Sequence, residues 1–156
     1  MCSYQGQVRV RVGGICLQNG KVLLVKLRNF GSMGYFWLPP GGGVHFGESL
    51  EEALHREFAE ETGLQIQIQQ LNCINQVIAP PIHAIEFFFN VKIIAGKLKT
   101  GIDPEMAPTD QLIEQVTWLS WEEIKQIPPE GIHNLFHNRQ SIYELHSLNL
   151  MNMLKR

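Results

Sequence analysis

The sequence predicts a mixed α/β (α+β) domain, a mixed β-sheet with a few helices packed on it. Three observations predict it. Residues 8–12 alternate with period two, residues 49–63 form a helical pattern with its own start and stop signals, and two β-rich runs fill much of residues 65–94.

The first element, Val8-Arg9-Val10-Arg11-Val12, alternates apolar and charged side chains as a half-buried strand does. Ile15-Cys16-Leu17 and Val22-Leu23-Leu24-Val25 then flank Asn19-Gly20, a pair suited to the left-handed dihedrals of a tight hairpin turn. A loop rich in glycine and aromatic residues follows. Ser49 is placed to cap a helix, Glu52 completes a capping box, and Gly63 stands where a C-terminal cap belongs. Gln65–Gln76 and His83–Ile94 read as strands, and Ala79-Pro80-Pro81 between them is expected to break their pairing. Gly101–Gln111 reads as a loop and Val116–Leu119 as a short strand. Ser120-Trp121-Glu122-Glu123 opens a second helix with another capping box, and a third helix is expected over His133–Leu148.

A chain of 156 residues is expected to form one domain, 1–156, with its core over about 6–146 and roughly 68–70% of the unfolded surface buried. With 13 basic against 15 acidic residues, it lacks the positive excess that holds a nucleic-acid polymer or an anionic membrane. A small-molecule ligand fits better. The three cysteines, Cys2, Cys16 and Cys73, are odd in number and not at metal-ligand spacing, which points to a reducing compartment. Neither a leader pattern nor a run of about 18 apolar residues occurs, so a cytoplasmic location is expected.

Six of the 15 acidic residues lie between Glu48 and Glu61. At about 100° per residue, with Leu50 at zero, Ala53, Leu54 and Phe58 define a core-facing arc from about 300° to about 80°. Glu57 at about 340°, Glu61 at about 20° and Glu60 at about 280° continue that arc instead of opposing it. Their i, i+3, i+4 spacing makes like charges neighbours, and they sit at the negative end of the helix dipole. Arg56 can balance one charge, and no lysine lies between residues 27 and 91. A hard divalent cation, Mg²⁺ or Mn²⁺, is the economical compensation, and phosphate oxygens are its natural further ligands. Just upstream, Leu38-Pro39-Pro40-Gly41-Gly42-Gly43 lets a ligand approach the backbone and can present amides or carbonyls to it.

Loop and helix together, from Gly42 to Leu64, resemble the Nudix box, G-x5-E-x7-R-E-U-x-E-E-x-G-U, where U is apolar. Gly42, Glu48, Arg56, Glu57, Glu60, Glu61 and Gly63 match its fixed positions, Leu64 the last apolar one, and the aromatic Phe58 the other. Trp37-Leu38-Pro39 and Trp118-Leu119-Ser120 also look like that family. The resemblance implies a Nudix-type α/β/α sandwich, with a mixed β-sheet between helices, and hydrolysis of a nucleoside diphosphate linked to another moiety. It implies that Glu57, Glu60, Glu61 and the Gly42 carbonyl bind the metal and that Arg56 holds Glu48. Either Glu57 or a carboxylate outside the box takes the proton from water, and Asp103, Glu105, Asp110 and Glu114 are the outside candidates. His45 stands where the family commonly has Glu, a change that bears on substrate contact and on pH response near 6–7.

For substrate contact the candidates are Arg28 for a phosphate, Tyr35, Phe36 and Trp37 for a nucleobase, and Gly41, Gly43 and His45 in the box loop. Pro80, 16 residues after Leu64, resembles the proline of ADP-ribose pyrophosphatases in that family. ADP-ribose is therefore the first expectation. Nucleoside triphosphates of the nucleotide pool are the second, and a non-catalytic nucleotide sensor is the reading from another class. The expected partner is a small nucleotide, with a homodimer compatible. His133 and His137, four residues apart with no acidic residue between them, are expected on a helix surface.

Overall fold

The computed structural model describes residues 6–148. Its strands are β1 (Arg9–Ile15), β2 (Leu17–Gln18), β3 (Lys21–Arg28), β4 (Tyr35–Leu38), β5 (Gly41–Gly43), β6 (Leu64–Ala79), β7 (Ile82–Gly96) and β8 (Ile113–Ser120). The helices are α1 (Leu50–Thr62) and the single turn α2 (Trp121–Ile124). One sheet has the order β5-β1-β7-β6, with β1 parallel to β7 and the other pairs antiparallel. In the other, β3 pairs with β2, β4 and β8.

The mixed α+β architecture is as the sequence predicts, and two apolar cores explain how it holds. Val22–Val25 on β3 are all buried, so successive side chains point into different cores and the run reads as continuously apolar. Leu23 and Val25 join Ala53, Leu54 and Phe58 of α1 with Val12, Ile66, Val91 and Val116. Val22 and Leu24 join Trp37, Phe88 and the C-terminal side chains Leu135, Phe136, Ile142 and Leu145. Helix α1 is thereby wedged against both sheets on one side, and the C-terminal segment covers the other.

Two expectations hold in shortened form and two are corrected. The Asn19-Gly20 hairpin forms, but it is only two residues deep, because β1 leaves it to pair in the first sheet. Pro80-Pro81 does not interrupt β6 and β7; it makes the turn that joins them, with Ala79 opposite Ile82. The second helix is one turn long. The third helix is replaced by short 3₁₀ turns at Asn134–Phe136 and Ile142–Ser147. Asn138 between them takes a φ of 57°, which no right-handed helix accommodates.

Candidate active site

Helix α1 starts on the expected capping box. The Ser49 hydroxyl accepts from Glu52 N–H at 3.2 Å and the Glu52 carboxylate from Ser49 N–H at 2.8 Å. It ends at Gly63, whose φ of 73° is left-handed. Between those fixed ends Ala53, Leu54, Phe58 and Thr62 are buried, which turns Glu57, Glu60 and Glu61 to the edge of the core beside β5.

Arg56 ties the box loop to the helix. Its Nε and Nη2 donate to the two oxygens of Glu48 at 2.7 and 2.9 Å, and Nη2 also donates to the Gly43 carbonyl at 3.0 Å. Its Nη1 donates to Glu57 at 2.8 Å and, more weakly, to Glu60 at 3.5 Å. The Arg56 guanidinium holds the Glu48 carboxyl down at about 2. Glu57 is shifted the other way, because its burial outweighs the pull of Arg56. Burial also pushes Glu61 up to about 8, although its Oε2 accepts the Gly41 N–H at 2.9 Å. A Cβ on Gly42 would strike the Glu57 carboxylate, so glycine here lets that carboxylate rest directly against the loop.

Two partly buried carboxyls whose charged forms are disfavoured, with the Gly42 backbone pressed against one of them, are hard-oxygen donors that fit a divalent cation. Among the described residues, no three His, Cys, Asp or Glu side chains are arranged to hold a metal ion. Glu57 and Glu60 are turned to Arg56, and Glu61 to the Gly41 amide. Glu57 and Glu60 thus share one guanidinium nitrogen, while Glu61 is directed to the loop backbone.

A loop from Lys97 to Leu112 leans on the end of α1. Lys99 N–H donates to the Thr62 carbonyl at 3.0 Å and Gly101 N–H to the Glu61 carbonyl at 2.8 Å. Asp103 lies close enough to raise the Glu61 pKa, and its own backbone is clamped by Gln111. Of the other outside carboxylates, Glu105 meets His45 Nε2 at 2.5 Å, Glu114 meets Lys26 at 2.7 Å, and Asp110 is exposed. Backbone N–H of His45 donates to Glu48 at 2.9 Å, so this residue links the box loop to the leaning loop.

The remaining candidates are spread out. Arg28 lines an open cleft of about 700 Å³ with Asn29, Met106 and Asp110, and Glu57, Glu60 and Glu61 do not line it. Tyr35 and Trp37 lie under Lys26 Nζ, at 5.3 and 5.8 Å from the ring centres, and Trp37 is buried in the core. Phe36 packs on Phe30 and His133. His133 is corrected from a surface position: it is 4% exposed, and its Nε2 lies 2.7 Å from Glu86. Glu86, Arg11 and Asn75 were not among the sequence candidates. The available signal was a carboxylate inside the apolar run of β7, flanked by Ile85 and Phe87.

The model of the NUDIX domain matches residues 7–138. The chain belongs to the NUDIX domain family. It is 40% identical over 100 residues to the ADP-ribose pyrophosphatase of Methanocaldococcus jannaschii, covering 63% of this chain and 59% of that protein. It is 31% identical to the m7GpppN-mRNA hydrolase NUDT17 of Xenopus laevis, covering 70% of this chain and 40% of that protein. The chain thus spans about half the length of these curated relatives. Among solved structures it resembles the MutT NUDIX hydrolase from Burkholderia pseudomallei, with a TM-score of 0.63, 26% identity, and coverage of 78% of this chain and 88% of that one. Among the described residues of this NUDIX protein, no helix is long and apolar enough to cross a membrane.

Proposed function

We propose that this NUDIX protein is a divalent-metal-dependent pyrophosphohydrolase that cleaves a nucleoside diphosphate linked to another moiety, with ADP-ribose the first substrate to test. The observation that carries this reading is the acidic edge of α1, Glu57, Glu60 and Glu61, set against the Gly41–Gly43 strand that Arg56 fastens to it. The similarity to an ADP-ribose pyrophosphatase supports the choice of substrate.

In this reading Glu57, Glu60, Glu61 and the Gly42 carbonyl would hold Mg²⁺ or Mn²⁺. Once bound, the ion supplies charge neutralisation at the pyrophosphate oxygens and lowers the pKa of water. Arg56 keeps the loop and helix in register through Glu48 and the Gly43 carbonyl. The glycines of β5 admit the phosphates to the backbone. The proton released by the attacking water goes to Glu57, whose burial makes it a stronger base than a solvated carboxylate, or to Asp103, the outside carboxylate nearest in charge to Glu61.

The test is product release from ADP-ribose, other nucleotide sugars and nucleoside triphosphates with Mg²⁺ or Mn²⁺, for wild type, Glu57→Gln, Glu61→Gln and Asp103→Asn. Glu57→Gln and Glu61→Gln are each expected to lose at least 100-fold in turnover with the fold retained. Asp103→Asn should lose a comparable factor only if it is the base. Triphosphate cleavage without ADP-ribose cleavage would favour a nucleotide-pool enzyme, and tight binding without turnover of any substrate would favour a sensor.

A further inference from the structure

On the face of the first sheet turned away from α1, four residues lie in one lateral row. Gly43 on β5 is the register partner of Arg11 on β1, Arg11 of Glu86 on β7, and Glu86 of Asn75 on β6. Phe88, two residues along β7 from Glu86, belongs to the apolar core, so a carboxylate at this depth needs compensation.

Glu86 is 6% exposed. Its Oε2 accepts from Asn75 Nδ2 at 2.9 Å and meets His133 Nε2 at 2.7 Å. The other ring nitrogen, His133 Nδ1, accepts from Leu135 N–H at 3.2 Å, which places the neutral ring's proton on Nε2, toward Glu86. Oε1 is thereby left to Arg11, whose Nε stands 3.6 Å away. An arginine that served only to neutralise Glu86 would close on it as a fork with two short hydrogen bonds. Here one long contact aims the group, and among the described residues Nη1 and Nη2 make no hydrogen bond.

The surroundings say what those donors face. Arg11 is about three-quarters buried, and its positive charge reaches both Glu57 and Glu61 and lowers their pKa values. In the sheet it stands between Glu86 and Gly43, whose carbonyl Arg56 ties to the acidic edge of α1. Beside it Gly43 has no side chain, and the guanidinium of Arg9 leans over the same glycine, where a Cβ would come within 2.7 Å of its Nη2. A planar pair of donors opening onto an edge strand, next to carboxylates suited to a divalent cation, matches a phosphoryl group in charge and shape.

We propose that Arg11 binds a phosphoryl group of the substrate through its two terminal nitrogens, and that Glu86, Asn75 and His133 are positioning residues that aim it. The proposal rests on the pyrophosphohydrolase reading and adds to it the residue that grips the pyrophosphate from the side opposite α1. The test uses the full chain and its Arg11→Gln, Arg11→Lys, Glu86→Gln and Arg11→Gln/Glu86→Gln variants. KM and kcat are measured on ADP-ribose with saturating Mg²⁺, and Kd for its α,β-methylene analogue by calorimetry.

Arg11→Gln should raise KM and Kd about 10- to 100-fold with a smaller change in kcat, and Arg11→Lys should recover part of that loss because it keeps the charge but not the fork. Glu86→Gln should weaken binding several-fold on its own and add nothing in the Arg11→Gln background, a dependence that a purely structural role would not produce. Wild-type affinity in Arg11→Gln, or additive losses in the double variant, would overturn the proposal while leaving the hydrolase reading intact. If Arg11→Gln does not fold, Arg11→Lys decides, and unchanged Kd there overturns it. A wild-type protein that neither hydrolyses ADP-ribose nor binds the analogue overturns both readings together.

Discussion

The sharpest perturbation of the acidic edge is a single methyl group, Gly42→Ala. Gly42 is not in the left-handed region, so alanine introduces no backbone strain. Its Cβ would lie 2.6 Å from Glu57 Oε2 and closer still to the rest of the carboxylate. Ordinary contact begins at about 3.4 Å, so the carboxylate has to retreat by about 1 Å. Because the colliding atoms are the far end of a flexible side chain, held by one hydrogen bond from Arg56, relief costs the fold little, about 1 kcal/mol. Catalysis is less tolerant: a misplacement of about 1 Å is worth on the order of 100-fold, or about 2.7 kcal/mol of transition-state stabilisation. The assay pairs kcat/KM for pyrophosphate hydrolysis at saturating Mg²⁺ with the thermal midpoint of the same preparation. Activity within threefold of wild type would refute the reasoning that Glu57 works from its place against Gly42.

Two further outcomes follow from the buried carboxyls. Glu61 has a folded-state pKa of about 8 against an ordinary 4.5, so its contribution to stability is full below 4.5 and is lost as pH rises through 8. In EDTA the thermal midpoint should therefore fall from pH 5 to pH 8. Glu61→Gln should flatten that fall, and saturating Mn²⁺ should raise the midpoint more at pH 8 than at pH 6; a wild-type slope that persists in Glu61→Gln would refute this account. Glu86 behaves oppositely. Burial raises it, but His133, Arg11 and Asn75 together outweigh burial and hold it at about 2. Its stabilisation is present above pH 4.5 and lost as pH falls toward 2, up to about 3 kcal/mol, and denaturant unfolding at pH 5 and pH 3 should show a smaller acid loss in Glu86→Gln than in wild type.

The residues that were easy to read in the sequence are those whose role is local. Ser49, Glu52 and Gly63 bound α1 through contacts within four residues, and the carboxylate spacing on that helix follows from its period alone. Asn19-Gly20 carried its turn for the same reason. What escaped is what tertiary pairing decides. Pro80-Pro81 suits a hairpin turn as well as a break, and only the register of β6 on β7 chooses between them. The His133–Leu148 stretch has enough apolar residues for a helix, yet a left-handed Asn138 and four buried side chains, Leu135, Phe136, Ile142 and Leu145, settle it as turns laid over the core. In the row of Arg11, Glu86 and Asn75, Arg11 is more than 60 residues from the other two in sequence, so no window on the chain displays it.

The loop that leans on α1 has two attachments, and they pull on different properties. Its amides at Lys99 and Gly101 satisfy carbonyls at the helix terminus, the Gly101 amide on Glu61 itself, while the stretch beyond carries Asp103 and Glu105 toward the box. Lengthening or trimming this segment to accommodate a bulkier leaving group would therefore also slacken the last turn that orients Glu61. Breadth of substrate and rigidity of the acidic edge are mechanically geared together here, and a variant that gains the first without losing the second has to keep the Lys99–Gly101 anchor untouched.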